Sequence, residues 1–406
     1  MRFTAIKDVF ESPSERVPGF LQRVESLRGV AALMVAVCHS HLVLMVNSHQ
    51  DLWRLNFVDV RGLQALGTKT VLTLFNGGAA VSLFFVISGL VLGLSLDRQR
   101  DGFIRSSGSF ILRRAFRIYP ALIVSLLLVR AFLPVIYPAP EYDGASFMFQ
   151  PLYRVPQAAD FFSNLLFISN QMNPVIWTLK VEMEAALLFP ILHLMTRGLS
   201  PNGNLALLAC LMWWSTVGHD TSTEKWLFAF YLGLMLPAWG PWLVSTMKTS
   251  PVGIETWLGS ILLAFCAARH LLYGTALVLI TPFVEGLSGM MLLACVLYLP
   301  ALKCWKVLDW EGVRTLGRVS YSFYLLHFIV HYVLGVGLFH LVSAQTLVSL
   351  PVLWHGLLAV VSVAVTIPLA MACYQWVEKV FVELGKHLAK CIAHSFRQPV
   401  QAGAME

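Results

Sequence analysis

The amino-acid sequence predicts an all-α fold, a polytopic bundle of about ten transmembrane helices with both termini in the cytoplasm. Three observations predict it. Hydrophobic residues make up 57% of the 406-residue chain and charged residues 13%, about half the roughly 25% charged share of a soluble domain. Apolar runs of about 20 residues, long enough to cross a bilayer, recur along the chain, and mean hydropathy is +0.70. Lys and Arg gather in alternate connections, as the positive-inside rule expects.

The first apolar run, 27–47, follows Arg2, Lys7, Arg16 and Arg23. It begins late and lacks a small-residue cleavage site, so it reads as an uncleaved signal anchor. Runs two and three, 71–96 and 118–138, are separated by Arg98, Arg100, Arg105, Arg113, Arg114 and Arg117. Run four, 176–197, follows the longest loop, 139–175, whose only basic residue is Arg154. That loop, "YPAPEYDGASFMFQPLYRVPQ" and beyond, is either a plain connection or a cap on the outer face. Runs 205–219 (short), 225–246, 252–271 and 275–300 come next, and Lys303, Lys306, Arg314 and Arg318 separate them from 320–343. The last run, 350–375, is followed by Lys379, Lys386, Lys390 and Arg397, whereas 344–349 carries no basic residue. Ten runs place all four basic segments on one side; nine or eleven would divide them. The chain therefore separates into a cytoplasmic segment 1–26, a membrane domain 27–380 and a cytoplasmic tail 381–406. A multi-pass protein of the cell (inner) membrane is expected, with no soluble domain and no internal repeat.

A net charge of +7 does not point to nucleic acid, because the basic residues sit in these connections. The seven cysteines, Cys38, Cys210, Cys266, Cys295, Cys304, Cys373 and Cys391, stand singly without CxxC or Cys/His ligand spacing, so neither a disulfide framework nor a metal site is expected. No P-loop, GxSxG or HExxH pattern is present.

Polar residues inside apolar runs carry the functional signal. Arg28 and His39 are eleven residues apart in "RVESLRGVAALMVAVCHSHL", which puts them on one helix face about 16 Å apart. Alone, Arg28 is a snorkelling arginine and His39 an interhelical hydrogen-bonder. Together they suggest a polar path with an anion site at its inner mouth and a general base inside. His41, rotated about 200° from His39, should face elsewhere. In "WTLKVEMEAALLFP", Lys180 and Glu184 can pair at i,i+4. Glu182 is left over, about 8 Å below the outer surface, close enough in depth to His39 to orient it. At the inner side, Arg114 and Arg117 share a face in "FILRRAFRIYPAL" and suit phosphates. Ser88 and Gly89 lie toward the inner end of run two, with Gly89 and Gly93 spaced for close helix packing. "LGRVSYSFYLLHF" adds Ser320, Tyr321, Tyr324 and His327, the last about 12 Å in from the cytoplasmic end.

These blocks, in this order, resemble the acyltransferase-3 family of integral membrane O-acyltransferases. "RVESLRGVAALMVAVCH" is similar to its first-helix signature, and "SLFFVISGLVL", "RRAFRIYP", "WTLKVEMEAALLFP", "FAFYLGLML", "LGRVSYSFYLLH" and "YQWVEKVF" look like its later blocks. Glu25, Ser82, Ala186 and Val380 depart from residues common in the family, which touches acceptor identity more than chemistry. The extracytoplasmic hydrolase-like domain appended in some members is not seen, so the chain is expected to act alone or with a separate partner.

The resemblance implies transfer of an acyl group, acetyl from acetyl-CoA in many members, to a hydroxyl of a glycan, glycolipid or other glycosylated acceptor. It makes His39 and Arg28 the essential pair, with Glu182 as the orienting carboxylate in our reading. Arg114 and Arg117 would hold the phosphates of acyl-CoA, with Ser88, Ser320, Tyr321, Tyr324 and His327 lining the same donor site. His39 would act as base or as the carrier of an acyl-His relay. A transporter using a His/Glu proton relay is the alternative, although no repeated halves support it. The partners expected are acyl-CoA, the acceptor and the lipid bilayer, with no metal and no nucleic acid.

Overall fold

The computed structural model describes residues 17–45, 52–97, 103–136 and 154–395. Arg2, Lys7, Arg16, Arg98, Arg100, Arg397 and residues 137–153, which hold the first part of the long loop, lie outside these residues. Among the described residues the regular structure is helical. Helices of eight or more residues are α1 (Val17–Ser40), α2 (Leu63–Leu74), α3 (Gly77–Asp97), α4 (Phe103–Ala131), α5 (Ala158–Leu165), α6 (Trp177–Gly198) and α7 (Pro201–Ser215). They continue with α8 (Thr223–Thr249), α9 (Ile254–Leu272), α10 (Thr281–Tyr298), α11 (Glu311–Arg318), α12 (Ser320–Leu341), α13 (Pro351–Cys373) and α14 (Lys379–Ser395).

Helix overlies each of the ten predicted runs, and among the described residues five stretches are long and apolar enough to cross a membrane: 63–97, 223–249, 276–298, 320–341 and 351–389. Several boundaries differ from the sequence reading. α1 starts ten residues before 27 and ends at Ser40 rather than 47; beyond it, the Leu44 amide donates to His355 Nε2 (3.3 Å). The second run is broken at Asn76. Its Oδ1 accepts from the Gly78 and Ala79 amides (3.0 and 3.2 Å) and so caps α3. The last run does not stop at 375: a π-helical turn, Tyr374–Glu378, carries it into α14. That helix packs on α4, where Gly385 faces Phe116.

α3 and α12 lie in the interior. α3 is buried over most of its length, and α12 is buried almost continuously from Ser320 to Tyr332. α8 lies against α3 so closely that a Cβ at Gly89 would strike the Phe230 carbonyl and one at Gly233 the Val86 carbonyl. Small residues permit this approach of backbones, the usual device where lipid removes the hydrophobic drive between helices. α1 is seated on α11 in the same way, Gly29 against Gly317. The periphery keeps its apolar residues exposed, as Leu357 and Val360 on α13 and Leu263 on α9 show, and such a surface belongs in hydrocarbon. The protein is a multi-pass integral membrane protein.

Candidate active site

One end of the α1 stripe is an arginine cluster. Arg114 donates from Nη2 to Glu182 Oε2 (2.7 Å), and Ser88 Oγ donates to Glu182 Oε1 (3.1 Å). Arg28, Arg117 and Tyr321 complete the wall of a cavity of about 20 Å³, space for a single water. Tyr321 donates to the Ile118 carbonyl (2.7 Å) and so ties α12 to α4. Glu378, placed by the π-helical turn, accepts from Ser322 Oγ (2.9 Å) and interacts electrostatically with Arg28 and Arg117. Three guanidinium groups thus face two carboxylates. Among the described residues Arg114 Nε is buried with no hydrogen-bond partner, a donor that an anionic group would satisfy.

The other end is a histidine chain. His39 Nδ1 and His327 Nε2 are 2.9 Å apart. Their ring planes differ by 7° and their centroids by 5.2 Å, the in-plane, end-to-end approach of an N–H···N bond. His327 Nδ1 lies 2.6 Å from the Tyr324 carbonyl. A carbonyl only accepts, so in neutral His327 the proton is on Nδ1 and Nε2 carries the lone pair. His39 must then donate from Nδ1, which leaves its Nε2 unprotonated. The chain continues as His331 Nδ1 to the His327 carbonyl (2.5 Å), with His331 Nε2 against Ser40 Oγ (2.5 Å).

His39 borders a cavity of about 370 Å³, whose wall includes Trp53, Asn170, Trp177, Asp220, Trp226 and Arg269. Val81 and Tyr324 line this cavity and also a second space of about 20 Å³ that Arg28, Glu182 and Ser320 border. Val81 of α3 and Tyr324 of α12 thus stand between the two spaces, at a neck in the stripe.

The sequence grouped these residues differently in two respects. Glu182 was expected beside His39; instead it is ion-paired to Arg114. The reason is a segment that enters the bundle before α6 begins. Asn173 Nδ2 donates to the Leu325 carbonyl (3.0 Å) and Thr178 Oγ1 to Tyr324 OH (3.1 Å), so α6 starts beside the first turns of α12. Glu182, one turn further, comes level with Tyr321. His327, expected among the donor contacts, is turned to His39. Arg28, Ser88, Arg114, Arg117, Ser320 and Tyr321 do gather at the Arg28 end, with Tyr324 at the neck. Lys180 and Glu184 are paired at 4.0 Å, and His41 faces away, its Nδ1 2.9 Å from the Val37 carbonyl. Sequence reasoning missed His331, Glu378, Arg269 and Glu285. For His331 a signal existed, since it follows His327 at i+4 on the same face.

A family model described as an acyltransferase domain, of the acyltransferase 3 type, matches residues 21–371. No curated protein and no solved structure matches the chain.

Proposed function

Because the chain belongs to the acyltransferase 3 family, whose domain spans residues 21–371, we propose that it moves an acetyl group from acetyl-CoA to a hydroxyl of a carbohydrate or glycosylated acceptor. Membership already makes it a membrane-embedded acyltransferase for groups other than aminoacyl groups, and the transporter alternative gives way to it. The observation that carries the finer reading is the stripe on α1, with arginines at one end and an unprotonated imidazole nitrogen at the other.

The donor docks at the Arg28 end, its phosphates taking Arg114, Arg117 and Arg28 as partners. Glu182 holds Arg114 ready until a phosphate replaces it. The 20 Å³ space there must widen for this exchange. The thioester is threaded past Tyr324 to His39. His39 Nε2 takes the proton of the acceptor hydroxyl as its oxygen attacks the thioester carbonyl carbon; the C–S bond then breaks and the thiolate leaves with that proton. During the step the imidazolium charge is shared through Nδ1–H with His327 Nε2, which fixes the tautomer as the third member of a triad does.

Membranes carrying wild type, His39→Ala or Arg114→Ala/Arg117→Ala, given radiolabelled acetyl-CoA and an envelope-glycan extract, test this. Transfer is expected with wild type and to fall roughly 10²–10⁴-fold in His39→Ala. The arginine variant should raise the apparent KM for acetyl-CoA at least about tenfold, since charged hydrogen bonds contribute about 1.5–3 kcal/mol. Equal transfer by wild type and His39→Ala would remove His39 from the reaction.

A further inference from the structure

The cavity beside His39 has a composition that the reaction alone does not explain. We infer that it is a subsite for an uncharged hexose ring, with Arg269 as the residue that selects it. This rests on the transferase reading and specifies its acceptor.

Charge comes first. Among the described residues, the charged ones lining the cavity are Arg269 and Asp220, and each has an opposite partner. Arg269 grips Glu285 through Nε and Nη2 (3.0 and 2.8 Å), and Glu285 is fully buried and also accepts from Asn76 Nδ2 (2.9 Å). Asp220 faces Lys225 Nζ at 3.2 Å. At the Arg28 end three guanidinium groups face two carboxylates, whereas here Arg269 is matched one to one by the fully buried Glu285. A ligand carboxylate or phosphate would therefore enter without surplus positive charge, which is unfavourable away from water. An uncharged ligand meets no such penalty.

The Arg269 guanidinium lies over Gly78, where any Cβ would collide with it, and 5.3 Å from the centre of the Trp53 ring. It is held on several sides, yet its Nη1 has no hydrogen-bond partner among the described residues. Asn170 and Asp220 add further polar groups to the same wall. Opposite chemistry is supplied by Trp53, Trp177 and Trp226, the last two 5.9 Å apart and fixed by the Trp226 Nε1 bond to the Asp220 carbonyl (2.7 Å). Flat aromatic faces suit the C–H faces of a pyranose, while fixed donors and acceptors suit its hydroxyls. A volume of about 370 Å³ falls in the range of roughly 300–1,000 Å³ typical of small-molecule sites. Such a ring would present a hydroxyl to His39 Nε2.

The test uses the full-length His39→Ala chain in lipid nanodiscs, so that binding is read without turnover. Saturation-transfer NMR would be recorded with methyl α-glucoside, α-galactoside and α-mannoside, with methyl α-glucuronide, and with 1-octanol. Acetyl-CoA binding would be measured on the same samples. At least one neutral hexoside should bind, with the glucuronide at least tenfold weaker. Arg269→Lys, which keeps the charge beside Glu285 but loses the fork, should weaken the hexoside at least tenfold and leave acetyl-CoA binding unchanged. Asp220→Asn, at an exposed rim, gives a second variant that should also weaken it. Equal or tighter glucuronide binding would overturn the uncharged assignment. Binding of 1-octanol alone, or of no hexoside, would overturn the sugar site while retained acetyl-CoA binding left the transferase standing. Hexoside binding without acetyl-CoA binding would instead count against the transferase reading.

Discussion

In the proposed reaction His327 acts on His39 through a proton position, and that makes its role separable from donor binding. His327→Leu removes the acceptor that holds the His39 proton on Nδ1, so either nitrogen can then face the acceptor hydroxyl. We expect kcat to fall, by up to about 10⁴-fold, the cost of the wrong tautomer when the third member of a catalytic triad is lost, with KM for acetyl-CoA unchanged. His327→Asn supplies an amide oxygen for the same N–H and should restore part of the rate, which a purely structural loss would not allow. A raised KM with normal kcat would return His327 to the donor site. A second residue, Asp309, sets an acid limit. The Arg23 guanidinium bonds both of its oxygens (3.0 and 2.6 Å) and holds its carboxyl below the usual carboxylate range. A lowered folded-state pKa means that the pair's stabilisation is complete above the unfolded value of about 3.9 and is lost as pH falls through the lower one. The group is one-third exposed, so the effect is no more than about 1 kcal/mol. Thermal midpoints measured from pH 5 to pH 3 should drop more in wild type than in Asp309→Asn, and parallel curves would show that the clasp contributes nothing.

At the scale of elements, the contact of α3 with α8 is the least forgiving. The obstacle to a side chain at Gly89 is the Phe230 carbonyl, backbone that cannot rotate away. Gly89→Ala should therefore destabilise by about 1–3 kcal/mol, as overpacking does, or prevent accumulation. Gly337 on α12 has open space around its Cβ position, so Gly337→Ala should be neutral or stabilising by up to about 1 kcal/mol. Fluorescence-detected size exclusion after heating separates the two; equal behaviour would contradict the packing. The Gly89 and Gly93 spacing made this contact legible in the sequence, and so did the apolar runs that became helices. What escaped was the placement of chain that is neither apolar nor periodic. Asn76 splits a continuous apolar run because its side chain caps α3 and reaches Glu285, a long-range partnership with no local signal. Residues before Trp177 enter the bundle through Asn173 and Thr178, and that shift carried Glu182 away from His39. Depth counted from an assumed membrane surface fails wherever a connection dips inward.

On the scale of the whole molecule, the connections sort into two sets, and the sorting bears on the span count. Arg23 near the start of α1 also donates to the Pro300 carbonyl (2.9 Å), and Ser26 Oγ to the Leu308 carbonyl (2.7 Å). Asp97 at the end of α3 is bonded by His193 (2.9 Å) and Arg197 near the end of α6. The N-terminal side of α1 thus shares an end with the connection after α10, and the connection after α3 with that after α6. Trp53, Asn170, Asp220 and Arg269, from the connections after α1, before α6 and after α7 and from the last turn of α9, meet at the His39 cavity. An even number of crossings between equivalent ends fits this arrangement, and the ten expected from the sequence would thread the chain through both sets. By the positive-inside rule the basic segments would put the Arg28 end in the cytoplasm, on the side from which the proposed acetyl-CoA donor docks, and the proposed hexose cavity on the outside. Green fluorescent protein fused after Glu406 should fluoresce, alkaline phosphatase inserted at 250–253 should be inactive, and alkaline phosphatase inserted at 216–219 should be active. An active phosphatase at 250–253 would mean that α7 and α8 do not cross separately. An active phosphatase fused after Glu406 would place the C-terminus outside and require an odd count. Either result would detach the donor mouth from the cytoplasmic supply on which the proposed reaction depends.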